Sequence, residues 1–295
     1  MKRNKLIAGL LIIALVSLIL FYGNKTQIST LTVSSPVFVD KTMEYLHQSD
    51  KWRDWLPAGD TSFAIRTIDP LTLELAFKKG DSASPVARIQ VSPVTEAEPS
   101  SKIQIHYPAK RYQNWFGNPP QQMAQLAEKL DRFFNDTKEL YGYAIEHSFV
   151  EDTSYLFKKI TIPTDLVFEK LPLIYDSLIQ FARKQHLEYR GVRIFNIHRL
   201  DSTHCQLNAS IAIHGTPALS DDNIFLKQMP YKKNLLVAYY RGSITEADKA
   251  LEALEKYRGD HGLIRMAIPF VQLPADDFNL SDTAALDIKV FYPVF

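Results

Sequence analysis

The stretch that decides the fold reads VAYYRGSITEADKALEALEKY and spans residues 237–257. Its first residues are apolar and aromatic, as in a buried strand, and Gly242 then lets the chain turn. Thr245 followed by Asp248 is typical of a capping box at the start of a helix. Four residues after the turn recur at the spacing of one helix face: Ala247, Leu251, Leu254 and Tyr257. The stretch therefore predicts a strand joined directly to a helix.

The order strand, helix, strand, strand occurs twice between residues 142 and 295. The predicted strands are residues 155–162, 192–197 and 205–213 in the first copy, and 235–240, 268–273 and 286–294 in the second. The first helix carries a stripe of five residues at helical spacing: Leu171, Ile174, Tyr175, Leu178 and Ala182. A repeat of this kind predicts pseudo-twofold symmetry, and such domains bind ligands at the seam between their halves.

Residues 25–141 predict a separate domain of the α+β class. After a first strand, Ser35 and Pro36 favour the start of a helix, because serine caps well and proline suits the first turn. Trp52 and Trp55 follow on a short helical turn. Tryptophans three residues apart are more often part of a core than of a ligand pocket, so we expect them to be buried.

In the remainder of this domain, apolar residues first recur every second residue and then at the spacing of a helix. Alternating residues between 61 and 107 predict an antiparallel meander. A long helix then ends near residue 140, and its apolar face has five members: Met123, Leu126, Leu130, Phe133 and Phe134.

Composition and charge exclude several classes of protein. The length of 295 residues predicts two domains, each with its own core, and 46% hydrophobic with 23% charged residues is typical of globular chains. A net charge of +1 provides no basic field for nucleic acid, so we expect no nucleic-acid partner. The single cysteine excludes an internal disulfide.

The N-terminus predicts a single-pass membrane anchor within residues 1–24. Three basic residues precede residues 6–22, which carry no charge. As a helix this segment is roughly 25 Å long, near the short limit for a bilayer span. The alternative is a cleaved signal peptide, but Gly23 is a poor cleavage site. We favour the uncleaved anchor, with the N-terminus in the cytoplasm and residues 25–295 in the periplasm or outside the cell.

The segment SSPVFVDKTMEYLHQSDKWRDWLP, residues 34–57, combines the end of a strand, a helix and a W..W.P element. This order resembles the opening of the SRPBCC superfamily, which includes START-type lipid carriers and polyketide cyclase-like proteins. The resemblance covers residues 25–141 and implies a helix-grip fold, in which a curved sheet wraps around a long C-terminal helix with a hydrophobic cavity between them. The meander is shorter than is usual in that family.

The second half of the chain is similar to the GyrI-like effector-binding domain. The similarity rests on the tandem repeat, on the stretch at residues 238–257, on AIPFVQL at 267–273 and on DIKVFYPVF at 287–295. That domain forms the ligand-reading end of some bacterial transcription regulators of the AraC and MerR types. The resemblance covers residues 142–295 and implies a small ligand at the seam. No helix-turn-helix pattern precedes this segment, so the DNA-binding part of those regulators is missing.

Three positions depart from the GyrI-like pattern. Val271 stands where a glutamate that pairs with cations or serves hydrolysis is often found, Leu273 replaces an aromatic residue, and Tyr240 replaces a histidine. These substitutions argue against a carboxylate-dependent hydrolase and against selection for cationic ligands.

Catalytic and metal-binding signatures are missing from the sequence. It contains no GxSxG, HExxH, GxxxxGK[ST] or GxGxxG motif. Cys205 alternates with apolar residues onto one strand face, which predicts a buried thiol rather than a nucleophile. The spacing of His198, His204 and His214 matches no ligand pattern for a metal. We expect no catalytic residue, no metal and no cofactor.

The sequence therefore predicts a membrane-anchored, extracytoplasmic protein of the cell envelope that binds a small apolar or amphipathic molecule in the seam of residues 142–295, without catalysis. Aromatic content and the resemblance favour four ligand contacts: Tyr240, Phe270, Gln272 and Tyr175. Two alternatives stay open. One is a hydrolase or cyclase-like enzyme of either family, which needs a general acid or base in a cavity. The other is a structural module that presents a surface to a protein partner.

Overall fold

A computed structural model gives the structure of the chain and describes Ser17 and residues 22–23, 25–56, 63–79, 82–95, 99–111, 119–217, 223–274 and 285–295. The chain divides into two compact units, residues 1–136 and 137–295, whereas the sequence places the boundary after residue 141.

The predicted anchor, residues 6–22, lies outside the described residues except for Ser17 and Tyr22. Within the part of the chain that the structure describes, no helix is both long enough and apolar enough to cross a membrane.

The first unit is a five-stranded antiparallel sheet with helices. Its strands are β1 (Thr26–Ser35), β2 (Phe63–Asp69), β3 (Thr72–Lys79), β4 (Ser82–Pro93) and β5 (Ser101–Lys110), in the spatial order β1-β5-β4-β3-β2. Its helices are α1 (Val39–Leu46), α2 (Trp52–Trp55) and α3 (Gln121–Asn135). The unit is α+β, as predicted. Its membership of the SRPBCC superfamily stays a prediction.

The core of this unit forms where period-two strands meet the apolar face of α3. Val33 pairs with Ile103 across β1 and β5, and both are buried. Trp52 and Trp55 are buried as predicted, and their rings meet edge to face at 5.1 Å. The five predicted apolar residues of α3 are all buried.

The first helix starts later than the sequence predicts. Ser35 is the last residue of β1, and α1 begins at Val39 without a side-chain cap. The buried hydroxyl of Ser35 lies 3.0 Å from that of Thr42, which in turn lies 2.8 Å from the hydroxyl of Ser101. The serine therefore satisfies a polar cluster inside the unit instead of capping the helix.

The second unit is an eight-stranded antiparallel sheet with two long helices. Its strands are β6 (Ala144–Phe149), β7 (Ser154–Pro163), β8 (Glu188–Arg199), β9 (His204–His214), β10 (Phe225–Gln228), β11 (Asn234–Gly242), β12 (Phe270–Leu273) and β13 (Leu286–Pro293). Its helices are α4 (Thr137–Tyr141), α5 (Val167–Lys184) and α6 (Ala247–Asp260), and short 3₁₀ turns at Thr164–Leu166 and Ile244–Glu246 precede α5 and α6.

The strand order confirms the predicted tandem repeat. The sheet runs β10-β7-β9-β8-β12-β13-β11-β6, so the inner six strands form two triplets that mirror each other about the β8–β12 pair. Each triplet belongs to one copy of the unit strand, 3₁₀ turn, helix, strand, strand. The arrangement is consistent with the GyrI-like fold that the sequence resembles. The edge strands β6 and β10 are additions that the sequence did not predict.

The two faces of this sheet differ in what covers them. One face packs against α5 and α6 in a single apolar cluster that includes Leu207, Ile211, Val290, Leu178 and Leu254. We call this the helix face. The other face carries smaller apolar clusters without any residue of α5 or α6, and we call it the open face. Successive side chains of a strand point to alternate faces, so each strand contributes to both.

The joint between β11 and α6 is capped by a different residue from the one predicted. The hydroxyl of Ser243 accepts a hydrogen bond from the backbone N–H of Thr245 and caps the 3₁₀ turn, and α6 then begins at Ala247 without a side-chain cap. A Cβ at Gly242 would lie 2.8 Å from the carboxylate of Glu246, so a larger residue there requires that flexible side chain to move.

His261, the residue that follows α6, has a pKa below its ordinary value in the folded chain. The ring of His261 stacks on that of Tyr257 at 3.9 Å. Burial lowers the pKa of His261 and His147 lowers it further, while the carbonyl of Tyr257 and the charge of Asp260 act in the opposite direction. The unfolded chain therefore binds a proton at this histidine more readily than the folded chain does. The contribution of His261 to the free energy of unfolding is present above about pH 6.5 and is lost as the pH falls below it.

We expect the urea midpoint of the second unit, followed by circular dichroism, to fall between pH 7.5 and pH 5. His261→Phe keeps the stacked ring but cannot titrate, so its midpoint should change less with pH. An equal pH dependence in the two proteins would show that His261 is not responsible.

Candidate functional site on the two faces of the sheet

A cavity of about 280 Å³ lies on the helix face, between the N-terminal ends of α5 and α6. We call it the seam cavity, because both repeats line it. Its apolar lining includes Phe168 of α5, Leu251 of α6, and Phe195, Val271 and Val290 of the sheet.

Polar groups surround the mouth of the seam cavity. Arg199 of the first repeat donates to Asp248 of the second at 3.3 Å, and both side chains are exposed, so the pair contributes little to stability. The hydroxyl of Thr164 also lines this cavity, and it is buried without a hydrogen-bond partner among the described residues. The seam cavity is thus narrow and apolar, with a charged pair at its edge.

A larger cavity of about 660 Å³ lies on the open face, and we call it the open-face cavity. Its apolar lining comes from both repeats and from the loops beside the sheet: Phe157, Ile194, Met229, Leu235, Met266 and Phe270. Four polar residues of β8 and β9 also line it: Asn196, Gln206, Asn208 and Ser210. This volume is within the range of about 300–1,000 Å³ that is typical of small-molecule sites.

The polar residues of this cavity follow from strand alternation. In β9 the residues of one parity, such as Cys205 and Leu207, lie in the core of the helix face, so Gln206 and Asn208 point to the open face. Asn208 pairs with Asn196 of β8. The pairing places two carboxamides side by side at the floor of the open-face cavity, beside apolar surface.

The structure brings two of the four predicted contacts to the open face. Phe270 lines the open-face cavity and also reaches the edge of the seam cavity, and its ring stacks on that of Phe291 at 5.0 Å. Gln272 follows two residues later in β12 and pairs with Ile194, which lines the open-face cavity. Both side chains are half-buried.

The other two predicted contacts lie on the helix face. Tyr240 is half-buried, meets Tyr143 edge to face at 5.9 Å and donates its hydroxyl to the carbonyl of Ser243. Burial raises its pKa, and the neighbouring Tyr143 raises it further. Tyr175 is buried in the core, where burial raises its pKa well above the ordinary value. Neither tyrosine lines the two cavities above, and as ligand contacts they stay predictions.

The remaining sequence candidates lie apart from both cavities. Cys205 is fully buried on the helix face, as predicted for an apolar thiol. His204 and His214 stand at opposite ends of β9. Among the residues that the structure describes, no three His, Cys, Asp or Glu side chains are grouped closely enough to hold a metal.

Trp52 and Trp55 of the first unit pack against neighbouring aromatic rings. Trp55 meets Phe133 edge to face at 5.0 Å, and Phe133 meets Phe134 at 5.2 Å. These rings fill space between α2 and α3. An open groove of about 770 Å³ lies elsewhere, beside α1, and its lining includes Phe38, Met43 and Leu71.

Comparisons with known proteins add a limited likeness. No protein-family model matches the sequence, and no curated protein matches it. The C-terminal domain of EcmrR aligns at 15% identity over 52% of this chain and 98% of that domain, with a TM-score of 0.44. EcmrR in a complex with DNA aligns at 14% identity over 62% of this chain and 74% of that one, with a TM-score of 0.43. An uncharacterized conserved protein from Listeria innocua aligns at 12% identity over 56% and 98%, with a TM-score of 0.39. Likenesses at this level assign no function.

We expect the thiol of Cys205 to react with Ellman's reagent far more slowly in the folded chain than in urea, because no solvent reaches it. Asn208→Cys in a Cys205→Ala background is the matched control on the same strand, and its thiol faces the open-face cavity. The control should react quickly without denaturant. Fast labelling of the natural Cys205 in the folded chain would contradict the assigned orientation of β9.

Proposed function

We propose that the second unit is a binding module for a small apolar or amphipathic molecule, which it holds in the open-face cavity. The observation that carries the proposal is the cavity itself, about 660 Å³ in volume and lined by both repeats. A site of that size accommodates a drug-sized molecule, whereas the seam cavity of about 280 Å³ is near the small end of the usual range.

The lining supports an amphipathic ligand. Phe157 and Phe270 present half-buried aromatic surface, and burial of an apolar ligand body against them is favourable by about 25 cal/mol per Å². Asn196 and Asn208 supply carboxamides that donate or accept hydrogen bonds. Polar groups beside apolar surface are what orients a small ligand within a site.

The proposal also covers catalysis and location. We propose that the second unit binds its ligand without catalysis, and that residues 6–22 anchor the chain in a membrane so that this unit lies outside the cytoplasm. In support, the described lining of the open-face cavity contains no Asp, Glu or His, and its titratable side chains are lysines.

Binding of naphthalene-2-sulfonamide, a neutral amphipathic probe, tests the site by isothermal titration calorimetry. The full chain is held in nanodiscs of zwitterionic lipid, with empty nanodiscs as the blank. We expect Phe157→Ala to weaken binding by about tenfold, because it removes an aromatic contact and apolar area together.

Phe168→Ala is the matched control, because Phe168 lines the seam cavity and Phe157 lines the open-face cavity. This control should bind the probe as the unaltered chain does. Loss of binding in Phe168→Ala with retention in Phe157→Ala would move the site to the seam. Retention in both variants would place the ligand in neither cavity.

A further inference from the structure

The charged side chains that line the open-face cavity have one sign. Lys159 of β7, Lys227 of β10 and Lys233 before β11 all line it, and its described lining contains no Asp or Glu. The chain as a whole is nearly neutral, with a net charge of +1. The described lining of this cavity is therefore positively charged although the chain as a whole is nearly neutral.

Two of these lysines, Lys159 and Lys227, differ from two other lysines of the second unit, which form ion pairs with described carboxylates. Elsewhere in the second unit Lys170 pairs with Glu169 at 2.7 Å, and Lys249 pairs with Glu246 at 3.1 Å. Lys159 and Lys227 have no carboxylate within ion-pair distance among the described residues.

Two further contacts involve Lys233 and an acidic residue near Tyr155. The ammonium nitrogen of Lys233 lies over the ring of Phe295, 5.7 Å from the ring centroid. Asp152, the acidic residue that acts on the nearby Tyr155, lies 3.8 Å from Arg190. Among the described residues, no carboxylate therefore competes with a ligand for the ammonium groups of Lys159 and Lys227.

The strand register places the lysines around the apolar floor. Lys159 pairs with Asn208, which pairs in turn with Asn196, so a row of hydrogen-bond donors crosses β7, β9 and β8. Phe157 precedes Lys159 by two residues and points to the same face. Lys227 pairs with Tyr155 on the other side of Phe157. An apolar body over Phe157 therefore has a cationic donor on either side.

We propose that the open-face cavity selects amphiphilic acids, molecules with an apolar body and one carboxylate, sulfonate or phosphate group. The body packs on Phe157, Ile194 and Phe270, and the anionic group is held by Lys159 or Lys227 with the carboxamide of Asn208. This inference rests on the proposed function, because it assigns the charge of a ligand in the same cavity. It goes further than the loss of a glutamate at Val271, which argues against cations without favouring anions.

Three probes with the same ring system test the preference by calorimetry on the full chain in zwitterionic nanodiscs. They are naphthalene-2-sulfonate, its neutral isostere naphthalene-2-sulfonamide, and the cation naphthalen-2-ylmethylammonium. Exposed ion pairs contribute modestly, so we expect the sulfonate to bind about fivefold to tenfold more tightly than the sulfonamide, and the ammonium to bind most weakly. Raising the salt from about 0.01 M to 1 M should remove the advantage of the sulfonate, because the lysines are exposed.

The double variant Lys159→Gln with Lys227→Gln should reduce the affinity for the sulfonate to that for the sulfonamide and leave the sulfonamide within about twofold. Lys158→Gln is the matched control, because Lys158 is the neighbour of Lys159 on β7 and alternation turns it to the helix face. The control should preserve the preference for the anion. Equal affinities for sulfonate and sulfonamide in the unaltered chain, or a preference that survives the double substitution, would overturn this inference alone. Failure of all three probes to bind would overturn the proposed function as well.

Discussion

The antiparallel pairing of β12 with β8 is the interaction on which the second unit depends. It places Val271 opposite Phe195, Gln272 opposite Ile194 and Leu273 opposite Arg193. β12 has only four residues and also pairs with β13, so this short strand joins the sheet of one repeat to that of the other. Without the pairing, each repeat would present an unpaired edge and an apolar helix face with half its cover missing.

The same strand also separates the two cavities. Because successive side chains point to opposite faces, Val271 contributes to the wall of the seam cavity, while Phe270 and Gln272 belong to the open face. On the helix face, α5 and α6 fill most of the space above the sheet and leave about 280 Å³. On the open face the apolar clusters contain no residue of α5 or α6, and the cavity there has a volume of about 660 Å³. The larger cavity volume on the open face therefore follows from the position of α5 and α6 on the other face, and not from the composition of the strands.

Helices and strands with one buried face can be predicted from the periodicity of apolar residues in the sequence. The helix stripe around Leu178 and the alternation around Leu207 each repeat with the period of their element, and both were predicted. The edge strand β10 has four exposed residues and therefore carries no alternation to detect. Capping was misassigned because Ser243 and Thr245 both have side chains suited to it, and the 3₁₀ turn that decides between them leaves no mark on the sequence. The open-face residues were missed for a different reason: which of Lys159, Asn208 and Asn196 are neighbours depends on register between strands that are far apart in sequence.

Because of this dependence on register, residue 271 alone indicates little about a ligand in the open-face cavity. A carboxylate at position 271 would point to the helix face, beside the seam cavity and on the opposite side of the sheet from Lys159. The apolar Val271 therefore bears on the chemistry of the seam cavity, and the charge of the open-face cavity depends on other strands. A ligand in the seam cavity is governed by apolar surface and the Arg199–Asp248 pair at its mouth. A ligand in the open-face cavity is governed by Lys159 of β7 and Lys227 of β10. The two cavities therefore favour different molecules even though one four-residue strand lines both.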